Sequence, residues 1–549
     1  MLATDPAGRI RTEFGIGNRP SAHFARVVRA VAQPLQGTVY VIEHLRRLRQ
    51  FGLIALFHQR RVPPGPVTPP YPYAVTSPPR PAEPAEPAEP AGARLVGAGL
   101  LVPCLDTSER PYRDLDCAAS TPALQAVADK VADFLPWYSS VHRGAGYKSR
   151  TATTAYENAR ESAHRFAGRT AEDGNVVILC RNTTEAINQL AYRLRLEPDD
   201  VVVTTVVEHH ANLLPWARVA QRRWVECGPD GTFGVDDVTK VLDAGRPPAL
   251  LAITGASNVT GWLPPIDQIC EEAHVRGIPV FLDAAQLAPH RRLPPGPDYL
   301  AFSGHKLYAP YGSGALIGPR DTFTTGDPFL AGGGAVDLVD LDEVIWTEPP
   351  EREEAGSPNV IGAVAFGEAM DELERIGWEE IQRHEAALSV QLHEGLRSID
   401  GVRVLGPVAA RDTTTLSVAA FTVEGIHHGL VAARLSAEFG IGVRHGCFCA
   451  HPYLLRLLGV GPAGVADARA AVLRGDRSTI PGAVRASCGL GTSSDDVDAL
   501  LAALRAVIHG GPAPVPYEQD NVTGDFWPAG QARGWGDSDR PAGAACARG

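Results

Sequence analysis

Basic charge is scarce in this chain, and the shortage excludes one large class of functions. Its 51 Lys and Arg stand against 63 Asp and Glu, a formal net charge of −12. Sequence-general nucleic-acid binding rests on a cationic excess facing phosphates, so no nucleic-acid partner is expected and small-molecule chemistry fits better. Long apolar runs are missing from the N-terminal region too. The longest there, Phe51 to Phe57, is far too short to cross a bilayer, and no transmembrane segment is expected. That region also lacks the charged start, apolar stretch and cleavage site of a secretory signal. The 9 Cys in 549 residues do not make a small disulfide framework, and reduced thiols in a cytoplasmic setting are expected. Nor does any second cysteine pair stand at zinc-site spacing from Cys447 and Cys449, so no metal site is expected.

The chain does have proline in quantity near one end. Residues 60 to 90 are proline-dense and carry a three-fold Ala-Glu-Pro repeat from Ala82, which resists packing and reads as an extended linker. Before it, Ala22 to Arg61 mixes apolar residues with Arg29, Arg46, Arg47 and Arg49, as a pair of basic amphipathic helices would. A regulatory or membrane-surface arm and a dispensable extension both fit that pattern. The tail from Gly510 is rich in Gly, Pro, Asp and Arg and reads as disordered. Between the ends, apolar runs at Val176, Val201, Leu250, Val280 and Ala315 alternate with helical patterns at Tyr156 to Phe166 and Ile266 to Arg276. That alternation predicts a mostly parallel sheet covered by helices on both faces.

Chemistry concentrates around Ser303-Gly304-His305-Lys306. A lysine after Ser-Gly-His at the end of an apolar run can form a Schiff base with a cofactor aldehyde, with hydroxyl and imidazole donors beside it for a phosphate. A solvated turn lysine is the plainer alternative. Upstream, Val280-Phe281-Leu282-Asp283 reads as a buried strand ending in a carboxylate, where parallel sheets deliver functional groups. Asp283 is a candidate partner for a pyridinium nitrogen, and Gln286 is within reach of a ring hydroxyl. Val176 to Cys180, followed by Arg181-Asn182-Thr183-Thr184, reads as strand, polar turn and helix start, either a phosphate site or a simple cap. His209 follows another strand, where it could stack on a flat cofactor.

With these segments, the chain from about Tyr112 to Leu504 resembles the class V aminotransferase family, and within it the cysteine desulfurases of the sulfur-mobilisation type. Val141-His142-Arg143-Gly144, Arg181 to Asn188, Glu208 to Asn212, Ser257 to Gly261, Asp283 to Lys306 and Glu354 to Asn359 agree with it in order. The resemblance implies pyridoxal 5'-phosphate as cofactor and a fold-type I α/β transferase, with a large mostly parallel-sheet cofactor domain and a smaller α+β C-terminal domain. It implies Lys306 as the Schiff-base lysine, Asp283 on the pyridine nitrogen, Gln286 on the ring oxygen and His209 stacked on the ring. Thr184, Ser303 and His305, with Thr183 nearby, are implied around the phosphate, and Asn258 near the substrate. The expected division is 1–95 as a largely disordered extension, 96–360 as the large domain, 361–509 as the small one and 510–549 as a disordered tail. Leu416 to Phe421 is expected as a strand of the small domain and Asp495 to Ile508 as its last helix.

Gly442-Val443-Arg444-His445-Gly446-Cys447-Phe448-Cys449-Ala450-His451-Pro452 is similar to the mobile cysteine loop of these desulfurases, with Cys449 at the nucleophile position. Gly, His and Pro around it read as an exposed loop. A buried inert thiol, or half of a metal site with His445 and His451, are the alternatives. Arg485 matches the family arginine for a substrate carboxylate, suited by its planar fork, and Arg352 is a weaker candidate for the same pocket. Cys447 departs from the desulfurase pattern and gives a string like that of molybdenum-cofactor sulfurases. An extra segment between Cys449 and Arg485, including Val460 to Gly464 and Arg474 to Arg477, is a second departure. The reading is a desulfurase that converts L-cysteine to L-alanine with a persulfide on Cys449, as a homodimer serving a sulfur-acceptor protein. An aminotransferase, epimerase or selenocysteine lyase of the same family, and an inactive scaffold, are the alternatives.

Overall fold

The computed structural model describes residues 93–407 and 414–531, with the backbone of Leu2–Thr4 and Ile10–Thr12, which pair as two antiparallel strands. The arm expected at 22–61, the Ala-Glu-Pro linker and residues 532–549 lie outside the described residues. Among those described, no helix is long and apolar enough to cross a membrane.

Short runs of β-branched and aliphatic residues form the main sheet. In chain order they are β1 (Asn175–Cys180), β2 (Val201–Thr205), β3 (Gln221–Val225), β4 (Leu250–Thr254), β5 (Val280–Asp283), β6 (Tyr299–Ser303) and β7 (Gly314–Pro319). They lie in the order β1-β7-β6-β5-β4-β2-β3, parallel from β6 through β3, with β7 antiparallel to both its neighbours. Helices α1 (Gln125–Phe134), α2 (Tyr147–Phe166), α3 (Thr183–Arg193), α4 (Val235–Leu242) and α5 (Ile266–His274) cover it.

Successive strand residues point to opposite faces, and adjacent residues therefore enter different cores. Leu251, Ile253, Leu282 and Phe302 join Phe166, Val238 and Ile269 on one face. Leu250, Ala252, Phe281 and Ala301 join Ile187 and Leu190 of α3 on the other. This gives the helix-covered parallel sheet that the alternating pattern predicts. β3 was not legible as a strand: Gln221-Arg222-Arg223 is polar because the strand is an edge, paired only with β2.

The boundary expected at 360/361 falls at the first turn of α6 (Val360–Ile376). This helix belongs with the large unit, its Phe366 and Met370 entering the main core and Ala363 and Val364 packing with Tyr156 and Ala159 of α2. The smaller core begins with α7 (Trp378–Arg397), whose Leu388, Leu392 and Leu396 meet Phe421, Val484 and Leu500. Its sheet contains β8 (Val402–Leu405), β9 (Val418–Val423), β10 (Arg444–Gly446) and β11 (Ala483–Ser487), in the antiparallel order β8-β9-β11-β10. Helices α8 (His428–Phe439), α9 (His451–Leu457), α10 (Pro462–Leu473) and α11 (Ser494–His509) complete it. The extra segment after Cys449 is thus largely helix α10.

Residues 510–531, which the sequence reading assigns to a disordered tail, carry a hairpin of Tyr517–Gln519 with Phe526–Pro528. Phe526 lies 5.2 Å from the His427 ring, and Arg477 N–H donates to the Asn521 carbonyl at 2.7 Å. One ring contact and backbone hydrogen bonds such as this order a segment whose Gly- and Asp-rich composition hides them.

Candidate functional site

The C-terminal ends of β4, β5 and β6, the start of α3 and the loop after β10 enclose a cavity of about 310 Å³. Openings of this kind lie where parallel strands end and the loops that follow are free to carry polar groups.

Asp283, the last residue of β5, is 4% exposed, and its Oδ1 accepts the Ala285 N–H at 3.0 Å. Burial pushes its carboxyl up, while that N–H and the Lys306 charge act against the rise. After β6 the chain makes a single 3₁₀ turn, Gly304–Lys306, that turns Lys306 into the cavity. A Cβ on Gly304 would stand 2.6 Å from Ser313 Oγ and 3.1 Å from the Ala309 carbonyl, so any side chain there would displace the Ser313 hydroxyl and crowd the turn. Lys306 Nζ donates to Gln286 Oε1 at 3.3 Å. Desolvation pulls its pKa down to about 8, against the pull of Asp283.

Hydroxyls gather at the start of α3. Asn182 caps the helix by accepting the Glu185 N–H at 3.0 Å. Ser303 Oγ receives the Thr183 N–H at 2.8 Å and meets Thr183 Oγ1 at 2.6 Å. Thr184 and His305 line the same end. His209 faces the cavity with its Nδ1 accepting the Ala211 N–H at 3.1 Å, which leaves the ring proton on Nε2. Burial, then the charge of Lys306, brings its pKa down to about 3, so the ring is neutral at physiological pH. Glu208 beside it is fully buried, held by Thr205 Oγ1 (2.7 Å), Asn212 Nδ2 (2.7 Å) and Thr254 N–H (3.0 Å), and burial raises it to about 8.

The cysteine loop closes the other side. Phe448 and Cys449 both take φ 55°, left-handed backbone in two successive non-glycine residues, each costing about 1–3 kcal/mol and found where surrounding contacts impose it. Asn258 Nδ2 donates to the Phe448 carbonyl at 2.7 Å, the His210 N–H to the Cys449 carbonyl at 2.7 Å, and the Ala450 N–H to the Cys447 carbonyl at 2.9 Å. Cys449 is exposed into the cavity, while Cys447 is partly buried and its thiol pushed up by burial. Arg485, 2% exposed, donates Nη1 to the Asn258 carbonyl at 2.8 Å and lies 5.1 Å over the Phe448 ring. Its Nε is buried with no partner.

Every site residue read from the sequence lines this cavity except Arg352. Arg352 is buried in the Glu351–Glu353 turn, where Nη1 donates to the Thr324 carbonyl at 2.8 Å beside the Arg193–Glu353 ion pair. Its charge serves the turn that carries it. The motif segments at 141–144 and 354–359 also stand apart. Arg143 ties to the Val336 carbonyl at 2.7 Å, and Glu354 to Ser357 border a second cavity of about 540 Å³ on the Arg181–Glu185 side of α3. Arg444 was missed. It lines the cavity, and its place in the Val443-Arg444-His445 run two residues before the Cys447-Phe448-Cys449 string was the available signal. Among the described residues, no group of three or more His, Cys, Asp or Glu is arranged to hold a metal ion.

Pyridoxal 5'-phosphate fits this donor set. A buried carboxylate suits a protonated ring nitrogen, an amine of depressed pKa suits covalent capture, and a helix start with three hydroxyls suits a phosphate.

Comparison with known proteins agrees with the geometry. A sequence model of the family described as Aminotransferase class-V matches residues 114–500. A probable cysteine desulfurase of Halalkalibacterium halodurans is 36% identical over 368 residues, 64% of this chain and 88% of the relative. One from Halobacterium salinarum is 34% identical over 402 residues, 71% and 90% of the two chains. Among solved structures, the apo cysteine desulfurase of Thermococcus onnurineus NA1 superposes with a TM-score of 0.64 at 31% identity, covering 73% of this chain and 95% of that one. An S-sulfonic acid form of an Escherichia coli cysteine desulfurase gives 0.61 at 30% identity, covering 72% and 94%.

Proposed function

This chain belongs to the class V aminotransferase family, and we propose that its cavity desulfurates L-cysteine with pyridoxal 5'-phosphate as cofactor, leaving L-alanine and a persulfide on Cys449. One observation carries the reading: an accessible thiol, Cys449, and a buried arginine, Arg485, share a single cavity with Lys306 and Asp283.

When bound, the cofactor supplies an electron sink for the substrate's carbon skeleton. Lys306 would hold it covalently through Nζ, and the same amine is placed to move a proton at the substrate's α-carbon. Asp283 would keep the ring nitrogen protonated, and Gln286 would meet the ring oxygen. Thr183, Thr184, Ser303 and His305 would bind the phosphate. His209, neutral with its proton on Nε2, would border the ring without adding a competing charge. Arg485 receives the substrate carboxylate through its unpartnered Nε, which orients the side-chain sulfur toward the cysteine loop, and Asn258 borders the same end. The Cys449 thiolate then attacks that sulfur. The new S–S bond forms as the C–S bond breaks, its electron pair goes to carbon, and carbon takes up a proton to become alanine.

A homodimer and a sulfur-acceptor protein belong to this reading, as does a cytoplasmic location. The dimer has support in the hairpin of Val336–Val339 with Val344–Trp346, which leaves Leu338 60% and Leu341 99% exposed. Incubation with a panel of amino acids tests the assignment. Alanine from cysteine, with added sulfur on the Cys449 peptide by mass spectrometry, is expected. Keto acid without alanine would favour transamination, and a protein that binds no cofactor would favour the scaffold.

A further inference from the structure

Arg444 and Arg485 are cross-strand partners of β10 and β11, so two guanidinium groups share one face of a sheet and both line the cavity. Like charges directly opposite repel. Asp116 resolves the conflict from a third segment. Its Oδ1 accepts from Arg485 Nη2 at 3.0 Å and its Oδ2 meets Arg444 Nη2 at 2.9 Å. The backbone fixes it there: Asp116 bridges in parallel to Ser487, and the Ser487 N–H donates to the Leu115 carbonyl at 2.8 Å. Arg485 is thereby committed through Nη1 and Nη2, with Nε left over, and Arg444 already has an anion.

We propose that Asp116 sets the charge class of the substrate. Buried Arg485 and half-exposed Arg444, with Asp116 between them, leave one net positive charge, enough for a single α-carboxylate. An amino acid with a second acidic group finds Arg444 already paired with Asp116, which stands behind the two arginines rather than in the cavity lining, so its second charge is left without a partner. The other charged groups that line the cavity, Asp283 and Lys306, are committed to the cofactor in the reading on which this inference rests. Asp116 acts through the arginines and is a positioning residue for specificity.

The test uses the cofactor-loaded protein and two probes, L-serine with one carboxylate and L-aspartate with two. Binding is read from the change in visible absorption, independently of turnover. The native protein binds serine at least about tenfold more tightly than aspartate, and Asp116→Asn narrows that ratio by roughly tenfold or more. Adding Arg444→Gln to Asp116→Asn restores the native preference, because the released guanidinium is what receives the second carboxylate. Arg444→Gln alone leaves Asp116 wholly on Arg485, so KM for cysteine rises severalfold with a smaller change in kcat. This variant carries the test if Asp116→Asn does not fold. An unchanged serine-to-aspartate ratio in Asp116→Asn, or an unchanged KM in Arg444→Gln, overturns the proposal. A native protein that sorts the probes as described and yet turns over no cysteine instead overturns the desulfurase reading.

Discussion

Lys306 and Cys449 reach the same cavity from regions built in opposite ways. Lys306 stands one turn beyond β6, whose residues are all buried and bonded to strands on both sides. Cys449 stands in a loop with two successive left-handed residues, exposed, and held by hydrogen bonds to two backbone carbonyls from Asn258 and His210. A rigid floor suits a group that must capture a cofactor in one geometry. A loop on few bonds suits a thiol that must first meet substrate sulfur and then deliver it elsewhere. The difference separates cofactor binding from sulfur transfer, and each should be removable without the other.

The floor fails completely at one residue. Lys306→Ala should lose the visible absorption of the bound cofactor, and cysteine turnover should fall by at least ~10²–10⁴-fold, since no second amine lines the cavity. Absorption spectra and alanine assays measure both. Borohydride reduction that fixes the cofactor on another lysine would overturn the assignment.

The loop should fail more selectively. Cys449→Ala keeps the cofactor absorption and its response to cysteine, while turnover and persulfide fall on the order of 10²-fold or more. Cys447→Ala retains a substantial part of both, because that thiol is partly buried and its ionisation suppressed. Sulfur found only on Cys447 by mass spectrometry would exchange the two roles.

The contrast between floor and loop also explains how much could be read without coordinates. Asp283 and Ser303 end strands whose apolar runs are visible in the sequence, and Lys306 stands one turn beyond the second of them, so position along the chain translated directly into position in the sheet. Arg444 did not translate, because what makes it a cavity residue is its register against Arg485, a pairing of residues 41 apart in the chain. Arg352 misled for the converse reason: its neighbours in sequence fit the pattern while its guanidinium is used by the Thr324 carbonyl. The hairpin at 517–528 was hidden by composition, since contacts to His427 and Arg477 order it rather than any apolar periodicity of its own.

A pH profile sharpens the account of the floor. The Lys306 amine has its pKa drawn from 10.5 to about 8, and only the neutral form attacks an aldehyde. Capture of pyridoxal 5'-phosphate by cofactor-free protein should therefore accelerate about tenfold per pH unit below 8 and level off above it. Desolvation is the first cause of the shift, with Arg485 adding to it and Asp283 opposing it. Asp283→Asn should accordingly move the inflection to lower pH. Stopped-flow absorption gives the profile, and an inflection near 10 would mean that the amine is solvated as in an ordinary lysine.

The smallest effect should come from the loop's tether. Asn258 Nδ2 donates to the Phe448 carbonyl at 2.7 Å, with both residues buried, and a neutral hydrogen bond of this kind contributes about 0.5–1.5 kcal/mol. Asn258→Ala removes it while the His210 N–H, a backbone donor, still holds the Cys449 carbonyl. The loop should then open more often without being lost, so alkylation of Cys449 should rise by roughly 2–10-fold. Cysteine turnover should fall by a comparable factor. Asn258→Asp separates tethering from simple volume loss, because a carboxylate fills the same space and cannot donate. It should behave like the alanine variant or worse, its charge facing a carbonyl oxygen. Alkylation rates at the Cys449 peptide that match the native protein in both variants would mean that the strained backbone at Phe448 and Cys449 holds the loop by itself, and that Asn258 is there for the substrate alone.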